Sequence, residues 1–219
     1  MSENAGTGRG RTDGRAARAR ATRAKITAAA AELFTTAGYA ATSIGAIAAR
    51  AGVSEQTVYY AFGTKKAVLA AALDRAVAGD DEPVPTLERP WARAALADPD
   101  PVGQIRRQVA GAGDIYLRAA PLLDAVRGAA PADPDLAEVW ALNTAQRLTV
   151  QRAFTEALAR KTPLRPGLTI ETAADTALAL QSPETYTLLV HTRSWPHTQW
   201  LTWSETTLTT LLTTLPPPP

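Results

Sequence analysis

The amino-acid sequence predicts an all-α fold. Alanine is abundant, runs of β-branched residues are scarce, and Gly and Pro cluster between segments whose apolar residues recur at helical spacing. Of the 219 residues, 46% are hydrophobic and 20% are charged, which is typical of a globular protein. A chain of this length forms one large domain or two smaller ones.

The N-terminal segment is basic and has little to bury. Residues 1–17 are rich in Gly, Ala and Arg, so we expect a disordered basic tail. From Arg18 onward, apolar residues such as Ile26 and Phe34 recur at helical spacing, and Gly38 ends this first helix. The predicted domain that begins here spans residues 18–79.

Two short helices follow the first. Thr42 or Ser43 caps one of them, and Ser54 caps the next, in which Val58 and Phe62 share the buried side. Two helices joined by a tight turn, with a supporting helix before them, predict a three-helix unit of the helix-turn-helix type. In that arrangement the second helix of the pair enters the major groove of DNA.

A second helical domain is predicted for residues 80–215. The stretch DDEPVP at residues 80–85 interrupts the pattern after a fourth helix that begins at Lys65. We expect residues 216–219, all proline, to form an extended tail. The helices predicted in the second domain cover residues 86–97, 101–119, 121–129, 134–161, 170–180, 183–193 and 197–214.

The charge of the chain is unevenly distributed. Residues 1–70 contain ten Lys and Arg against four Asp and Glu, a net charge of +6, whereas the remainder carries −4. This asymmetry indicates a first third that faces nucleic acid. The third helix, buried through Val58 and Phe62, leaves Gln and Tyr side chains free for base edges and phosphates. Basic residues on both sides of it add phosphate contacts.

Three motifs resemble the DNA-binding domain of TetR-family transcriptional regulators. They are A-x-x-L-F-x-x-x-G-Y at 30–39, T-S-I-x-x-I-A at 42–48 and A-G-V-S-x-x-T-V-Y-Y-x-F-x-T-K at 51–65. The resemblance implies a homodimer on double-stranded DNA, a C-terminal domain for an unknown small-molecule ligand and for dimerisation, and repression relieved by that ligand. Two recognition helices one helical turn apart would read a pseudo-palindromic operator.

The predicted DNA-binding residues combine the reasoning from the residues with the resemblance. By position in the motifs, Tyr60 is a candidate for operator specificity. The late helices at 134–161, 183–193 and 197–214 are candidates for the dimer interface. Trp91, Tyr116 and Trp140 are candidates for a ligand pocket. The full DNA-binding set is Arg23, Thr42, Ser43, Ser54, Gln56, Thr57, Tyr59, Tyr60, Lys65 and Lys66.

Other classes of function have little support in the sequence. A regulator whose second domain serves only dimerisation or protein contacts remains the alternative, and a ligand-sized cavity would separate the two. His191 and His197 lack metal-ligand spacing, and no catalytic motif is present, so we expect no enzyme activity, metal or cofactor. The absence of cysteine and of a long apolar run predicts a cytoplasmic protein without a membrane segment.

Overall fold

The computed structural model describes residues 9–80, 82 and 84–216. Within these residues the regular structure is helical, and the only β-type pairing is an isolated antiparallel bridge between Leu164 and Thr213. The predicted all-α fold is confirmed. The chain divides into two compact units, Met1–Arg75 and Ala76–Pro219, and the division falls inside the fourth helix.

The first unit is built on four helices that share one apolar core. They are α1 (Arg9–Thr36), α2 (Ile44–Ala51), α3 (Glu55–Phe62) and α4 (Lys65–Ala78), the last of which ends beyond the unit. Each contributes buried side chains because its apolar residues recur on one face. The buried set includes Ile26, Ala30, Phe34, Ile44, Ile47, Ala48, Val58, Val68, Leu69 and Leu73.

Helix α1 begins earlier than the sequence predicts. It starts at Arg9 rather than near Arg18, so residues 9–17 are helical and not a disordered tail. Ala and Arg have high helix propensity, and a helix that is anchored by a buried segment can extend into solvent without further packing. Residues 1–8 lie outside the described part of the chain.

Local chemistry fixes the turn between α2 and α3. Gly52 ends α2 in the left-handed conformation at φ 68°, and its N–H donates to the carbonyl oxygens of Ala48 and Ala49. A residue with a side chain adopts that φ at a cost, which explains the glycine. Ser43 and Ser54 cap α2 and α3 by accepting hydrogen bonds from the N–H groups of Ala46 and Thr57.

The second unit is arranged around one long helix. Helix α6 (Pro101–Ala129) contacts α5 (Pro90–Ala97), α7 (Pro134–Ala159), α9 (Pro183–Tyr186) and α10 (His197–Leu212). It buries Ile105, Val109, Tyr116, Leu122 and Leu123. Helix α8 (Ile170–Leu180) follows α7 in the chain, and α9 is continued by a π-helix over Thr187–Thr192.

Helix α6 is continuous where the sequence predicts two helices. The predicted break before Pro121 is wrong, because Pro121 lies inside Pro101–Ala129. A proline in a helix interior costs about 3 kcal/mol through a lost hydrogen bond and a clash with the preceding turn. The residues on both sides of it, Ala119, Ala120, Leu122 and Leu123, are buried, and this packing offsets the cost.

An aromatic cluster joins the end of the chain to α6. The ring of Trp200 on α10 lies 5.1 Å from that of Tyr186 and 5.9 Å from that of Tyr116, with both pairs edge to face. The hydroxyl of Tyr186 lies 3.0 Å from Nδ1 of His197. The imidazole rings of His191 and His197 both contact the ring of Tyr186 within the second unit.

Among the described residues, no helix is both long enough and apolar enough to span a bilayer.

Candidate nucleic-acid interface and ligand cavity

The outward side of α3 carries the most exposed aromatic residues of the first unit. Tyr60 is 90% exposed and Tyr59 is 52% exposed, and Gln56 is also exposed. Val58, between them in sequence, is buried and fixes the helix to the core. An eight-residue helix held on one side thus presents one amide and two phenol rings to solvent, as the sequence predicts for a recognition helix.

The start of α3 is rigid and polar. The Ser54 hydroxyl accepts from the backbone N–H of Thr57 at 3.1 Å and lies 2.8 Å from the Thr57 hydroxyl. Ser54 is exposed and Thr57 is half-buried. Both hydroxyls are already hydrogen-bonded to each other, so they can present only their remaining lone pairs or proton to a nucleic acid.

Thr42 and Ser43 have different surroundings. Ser43 is exposed at the start of α2 and remains a predicted contact. Thr42 is buried, and its hydroxyl lies within hydrogen-bond distance of the carbonyl oxygens of Gly38 at 2.7 Å and Leu33 at 3.3 Å. In the described structure this hydroxyl closes the turn between α1 and α2, and a DNA contact of Thr42 stays an untested prediction.

Lys65 also has an internal role. Its ammonium donates to the carbonyl oxygens of Tyr39 at 3.0 Å and Thr42 at 3.1 Å, and it lies 4.1 Å from the centre of the Tyr39 ring. Carbonyl oxygens and a ring face stabilise a cation. In the described structure this side chain ties the start of α4 to the turn between α1 and α2, and its phosphate contact stays a prediction.

Replacing Lys65 by Met should destabilise the first unit by about 1–3 kcal/mol, because two hydrogen bonds from a charged donor to backbone carbonyl oxygens are lost. Native-state hydrogen exchange of residues 26–73 measures this free energy. Lys25, an exposed lysine on α1, provides the control, and Lys25→Met should change it by less than about 0.5 kcal/mol. Equal effects of the two substitutions would show that the tie contributes nothing to stability.

Arg23 is bound to α3 rather than free. One of its guanidinium nitrogens donates to the carbonyl oxygen of Ala61, and the guanidinium carbon lies 4.0 Å from the centre of the Phe62 ring. A cation at a helix C-terminus interacts favourably with the helix dipole. Arg23 is exposed and helps to hold α3 in place, and its DNA contact stays a prediction. Lys66 is half-buried at the start of α4, and its DNA contact stays a prediction.

The second unit contains a cavity beside α6 and α7. Its volume is about 90 Å³. It is thus a narrow pocket, smaller than the roughly 300–1,000 Å³ of typical small-molecule sites. It is lined by Val77, Thr86, Trp91, Gln108, Ala112, Ile115, Tyr116, Leu123, Asn143, Gln146, Arg147, Val150, Gln151 and Phe154.

One wall of the cavity depends on a glycine. A Cβ at Gly111 would lie 2.1 Å from Cε3 of Trp91, so the indole packs against bare backbone of α6. The ring of Trp91 is in turn stacked on Phe154 with centroids 6.0 Å apart. This close approach places two aromatic rings along the cavity.

Three glutamines form a buried network, and two of them, Gln108 and Gln151, line the cavity. Gln108 donates from its amide to the side-chain oxygens of Gln151 and Gln181, each at 2.8 Å. Tyr116 donates its hydroxyl to the backbone carbonyl of Gln181. Burial raises the pKa of Tyr116 to about 12, so the phenol stays protonated at neutral pH and remains a donor.

The predicted pocket residues are placed unequally. Trp91 and Tyr116 line the cavity, whereas Trp140 does not. Instead, Trp140 lies beneath the guanidinium of Arg147, with 5.2 Å between the guanidinium carbon and the ring centre. Its contact with the cavity is therefore indirect, through Arg147.

Sequence reasoning missed the polar residues of the cavity. Gln108 lies beside Ile105 and Val109 on the inward side of α6, and a polar residue on an apolar helix face is the available signal. Arg147 gives no such signal, because charged residues are common on every face of a long helix. In the described residues, no group of three or more His, Cys, Asp or Glu could hold a metal ion.

The arrangement of the first unit defines a class of protein: an all-α chain with a helix-turn-helix whose second helix is exposed on its polar side. Residues 26–72 match the sequence model of the family of bacterial regulatory proteins named tetR. Residues 26–72 thus form the DNA-binding domain of this family, and the resemblance seen in the motifs is confirmed.

Known proteins resemble the chain beyond this domain. The HTH-type transcriptional repressor Rv3405c of Mycobacterium tuberculosis is 37% identical over 116 residues, which cover 48% of this chain and 58% of the relative. The chain thus spans little more than half the length of this curated relative. The relative is described as a transcriptional repressor, and the family whose model matches consists of bacterial regulatory proteins.

Solved structures share the fold of both units. NalD, the secondary repressor of the MexAB-OprM multidrug efflux pump in Pseudomonas aeruginosa, superposes with a TM-score of 0.65 and 20% identity, covering 88% of this chain and 96% of its own. A gamma-butyrolactone receptor described as ArpA-like gives a TM-score of 0.62 and 20% identity over 90% of this chain and 91% of its own.

Proposed function

We propose that this protein is a sequence-specific DNA-binding transcriptional regulator, acting in the cytoplasm as a homodimeric repressor that a small molecule releases from DNA. The observation that carries the proposal is the outward side of α3, where Tyr60 is 90% exposed next to Tyr59 and Gln56. A large aromatic residue held this far into solvent by a rigid helix is typical of a binding surface.

The chemistry of that surface suits a DNA duplex. The Gln56 amide can bond adenine at two positions in the major groove, and tyrosine hydroxyls can donate to phosphate oxygens while their rings pack on the sugars. The net charge of +6 over residues 1–70 supplies the long-range attraction to the phosphate backbone.

A homodimer follows from the size of the surface. One eight-residue helix offers few contacts to a few base pairs, whereas two copies related by a two-fold axis read two half-sites of a pseudo-palindrome. We propose α7, α9 with its π-helical continuation, and α10 as the source of the dimer interface. Exposed leucines there, Leu142 on α7, Leu188 after α9 and Leu211 on α10, support this choice.

The cavity supports the ligand-responsive version over a regulator without an effector. Its described lining holds no Asp, Glu, His or Cys, which favours binding over acid–base catalysis and a regulator over an enzyme. Val77, near the end of α4, lines it, and Lys65 at the start of α4 is tied to the turn before α2. We propose that ligand binding shifts α4 and thereby the recognition helix, which requires tighter ligand binding in the conformation that does not bind DNA.

Replacing Tyr60 by Ala tests the proposed interface. Operator affinity should fall by about ten- to a hundredfold, because each dimer loses one aromatic contact in each half-site. A DNA fragment selected from a random pool with the unaltered protein serves as the operator, and fluorescence anisotropy of the labelled DNA gives the affinity at fixed salt. Stability should change by less than about 0.5 kcal/mol, since the side chain is almost fully exposed.

An exposed aromatic residue outside the surface is not available in the first unit, so a polar control is used. Thr35→Ala on α1 removes another exposed side chain of the same unit and should leave operator affinity unchanged. Selection with Tyr60→Ala and Gln56→Ala should also yield altered DNA sequences. Unchanged affinity and unchanged sequence preference in both variants would remove α3 from the DNA interface.

A further inference from the structure

Arg147 brings a positive charge to the wall of an otherwise uncharged cavity. It lies on α7, lines the cavity, and only 15% of its side chain is exposed. A guanidinium remains charged at all physiological pH values and has five N–H donors in a planar fork. Removing such a group from water is costly unless an anion or a full set of acceptors replaces the water.

The acceptors around Arg147 are mostly neutral. Its Nε donates to the side-chain oxygen of Asn143 at 3.0 Å, and one terminal nitrogen donates to the hydroxyl of Thr144 at 3.2 Å. In the part of the chain that the structure describes, its ion-pair partner is Glu184, whose carboxylate lies 4.0 Å away and is 42% exposed. That separation exceeds a hydrogen bond, so the described partners of the guanidinium are a carboxylate at ion-pair distance, neutral side chains and the Trp140 ring.

The rest of the cavity is suited to an apolar body. Trp91 and Phe154 stack along one side, and Ile115 and Val150 also line it. A flat or slender hydrocarbon skeleton would exchange water for these walls at a gain of about 25 cal/mol per Å². A ligand that fills this space and reaches Arg147 needs one polar end.

We propose that this cavity binds small molecules that combine an apolar, planar or slender body with a carboxylate, and that Arg147 binds the carboxylate. The inference rests on the proposed ligand-responsive function and names the chemical class of its ligand. Arginine and carboxylate pair through two parallel hydrogen bonds, which a neutral carbonyl cannot match. A cationic ligand would be repelled by the same guanidinium.

Isothermal titration calorimetry on the full-length protein without DNA tests this class directly. The probes are 2-naphthoate, indole-3-acetate and decanoate, each paired with its primary amide. At least one carboxylate should bind about tenfold or more tightly than its amide, because the charge-assisted pair replaces a neutral hydrogen bond. This comparison uses only the unaltered protein, so it does not depend on the folding of any variant.

Variants with opposite expected effects assign the preference to Arg147. Arg147→Met should remove the preference for carboxylate over amide, whereas Glu184→Gln should raise carboxylate affinity severalfold by removing the competing anion. Arg152→Met changes an exposed arginine on the same helix and should leave both affinities unchanged. Arg147→Lys keeps the charge without the planar fork and should give an intermediate preference.

The outcomes separate this inference from the proposed function. Equal affinity for carboxylates and amides, or no binding of any probe at millimolar concentration, would overturn the carboxylate class. Carboxylate binding that depends on Arg147 but leaves the operator complex intact would support the class and contradict release of DNA by the ligand. Operator affinity measured without probes reports on DNA binding alone.

Discussion

Phe34→Ala should lower the stability of the first unit by about 3–5 kcal/mol, because it removes a fully buried aromatic side chain and leaves a cavity. Phe34 is 1% exposed at the end of α1, and its ring lies 5.3 Å from that of Tyr39. The Tyr39 ring in turn lies under the ammonium of Lys65, so the loss of packing should also destabilise the turn between α1 and α2. Native-state hydrogen exchange of residues 26–73 gives the free energy.

Two comparisons make the Phe34 result specific. Phe34→Leu retains most of the apolar volume and should cost about 1–1.5 kcal/mol. DNA binding by Phe34→Ala should fall only in proportion to the unfolded fraction, in contrast to Tyr60→Ala, which should keep its fold. Hydrogen-exchange protection equal to that of the unaltered protein would contradict the central position of Phe34 in this core.

The second large effect is expected for Trp200→Ala in the second unit, again about 3–5 kcal/mol. Trp200 is fully buried and is in ring contact with Tyr116, Tyr186 and His197. Tyr116 lines the cavity, so the loss should also loosen one of its walls. Hydrogen exchange of α6 and α10 reports the change in stability, and calorimetric titration of the carboxylate probes reports the change in the cavity.

Trp200→Phe is the matched control. In the described structure the indole N–H of Trp200 has no hydrogen-bond partner, so phenylalanine loses volume but no hydrogen bond. We expect a cost of about 1–2 kcal/mol, well below that of alanine. If the phenylalanine and alanine variants are equally destabilised, ring packing does not explain the role of Trp200.

The sequence predicts the fold well where local and tertiary preferences agree. In α2 and α3, serine caps, the glycine turn and the apolar spacing of Ile44, Ile47 and Val58 all indicate the same boundaries. The predictions are wrong where one preference overrides another. Pro121 indicates a break that buried neighbours prevent, and residues 9–17 lack apolar anchors yet form helix through propensity.

The candidate site divides along a different line. Val58 fixes which side of α3 is buried, so the exposure of Gln56, Tyr59 and Tyr60 on the same short helix could be predicted. The hydrogen bonds that Arg23 and Lys65 make within the protein could not be predicted, because a basic side chain next to a recognition helix can bind either a phosphate or an internal carbonyl. Which of the two it binds depends on loop carbonyls that only the folded chain brings together.

The placement of indole side chains has a practical consequence for spectroscopy. Every tryptophan, at 91, 140, 195, 200 and 203, belongs to the second unit, while Tyr39, Tyr59 and Tyr60 are the aromatic phenols of the first. Selective excitation of indole emission therefore reports on the second unit alone. Trp91, stacked beside the cavity, should respond to an occupant without any dye. Indole emission follows the melting of the second unit, whereas tyrosine emission comes from both units because Tyr116 and Tyr186 lie in the second.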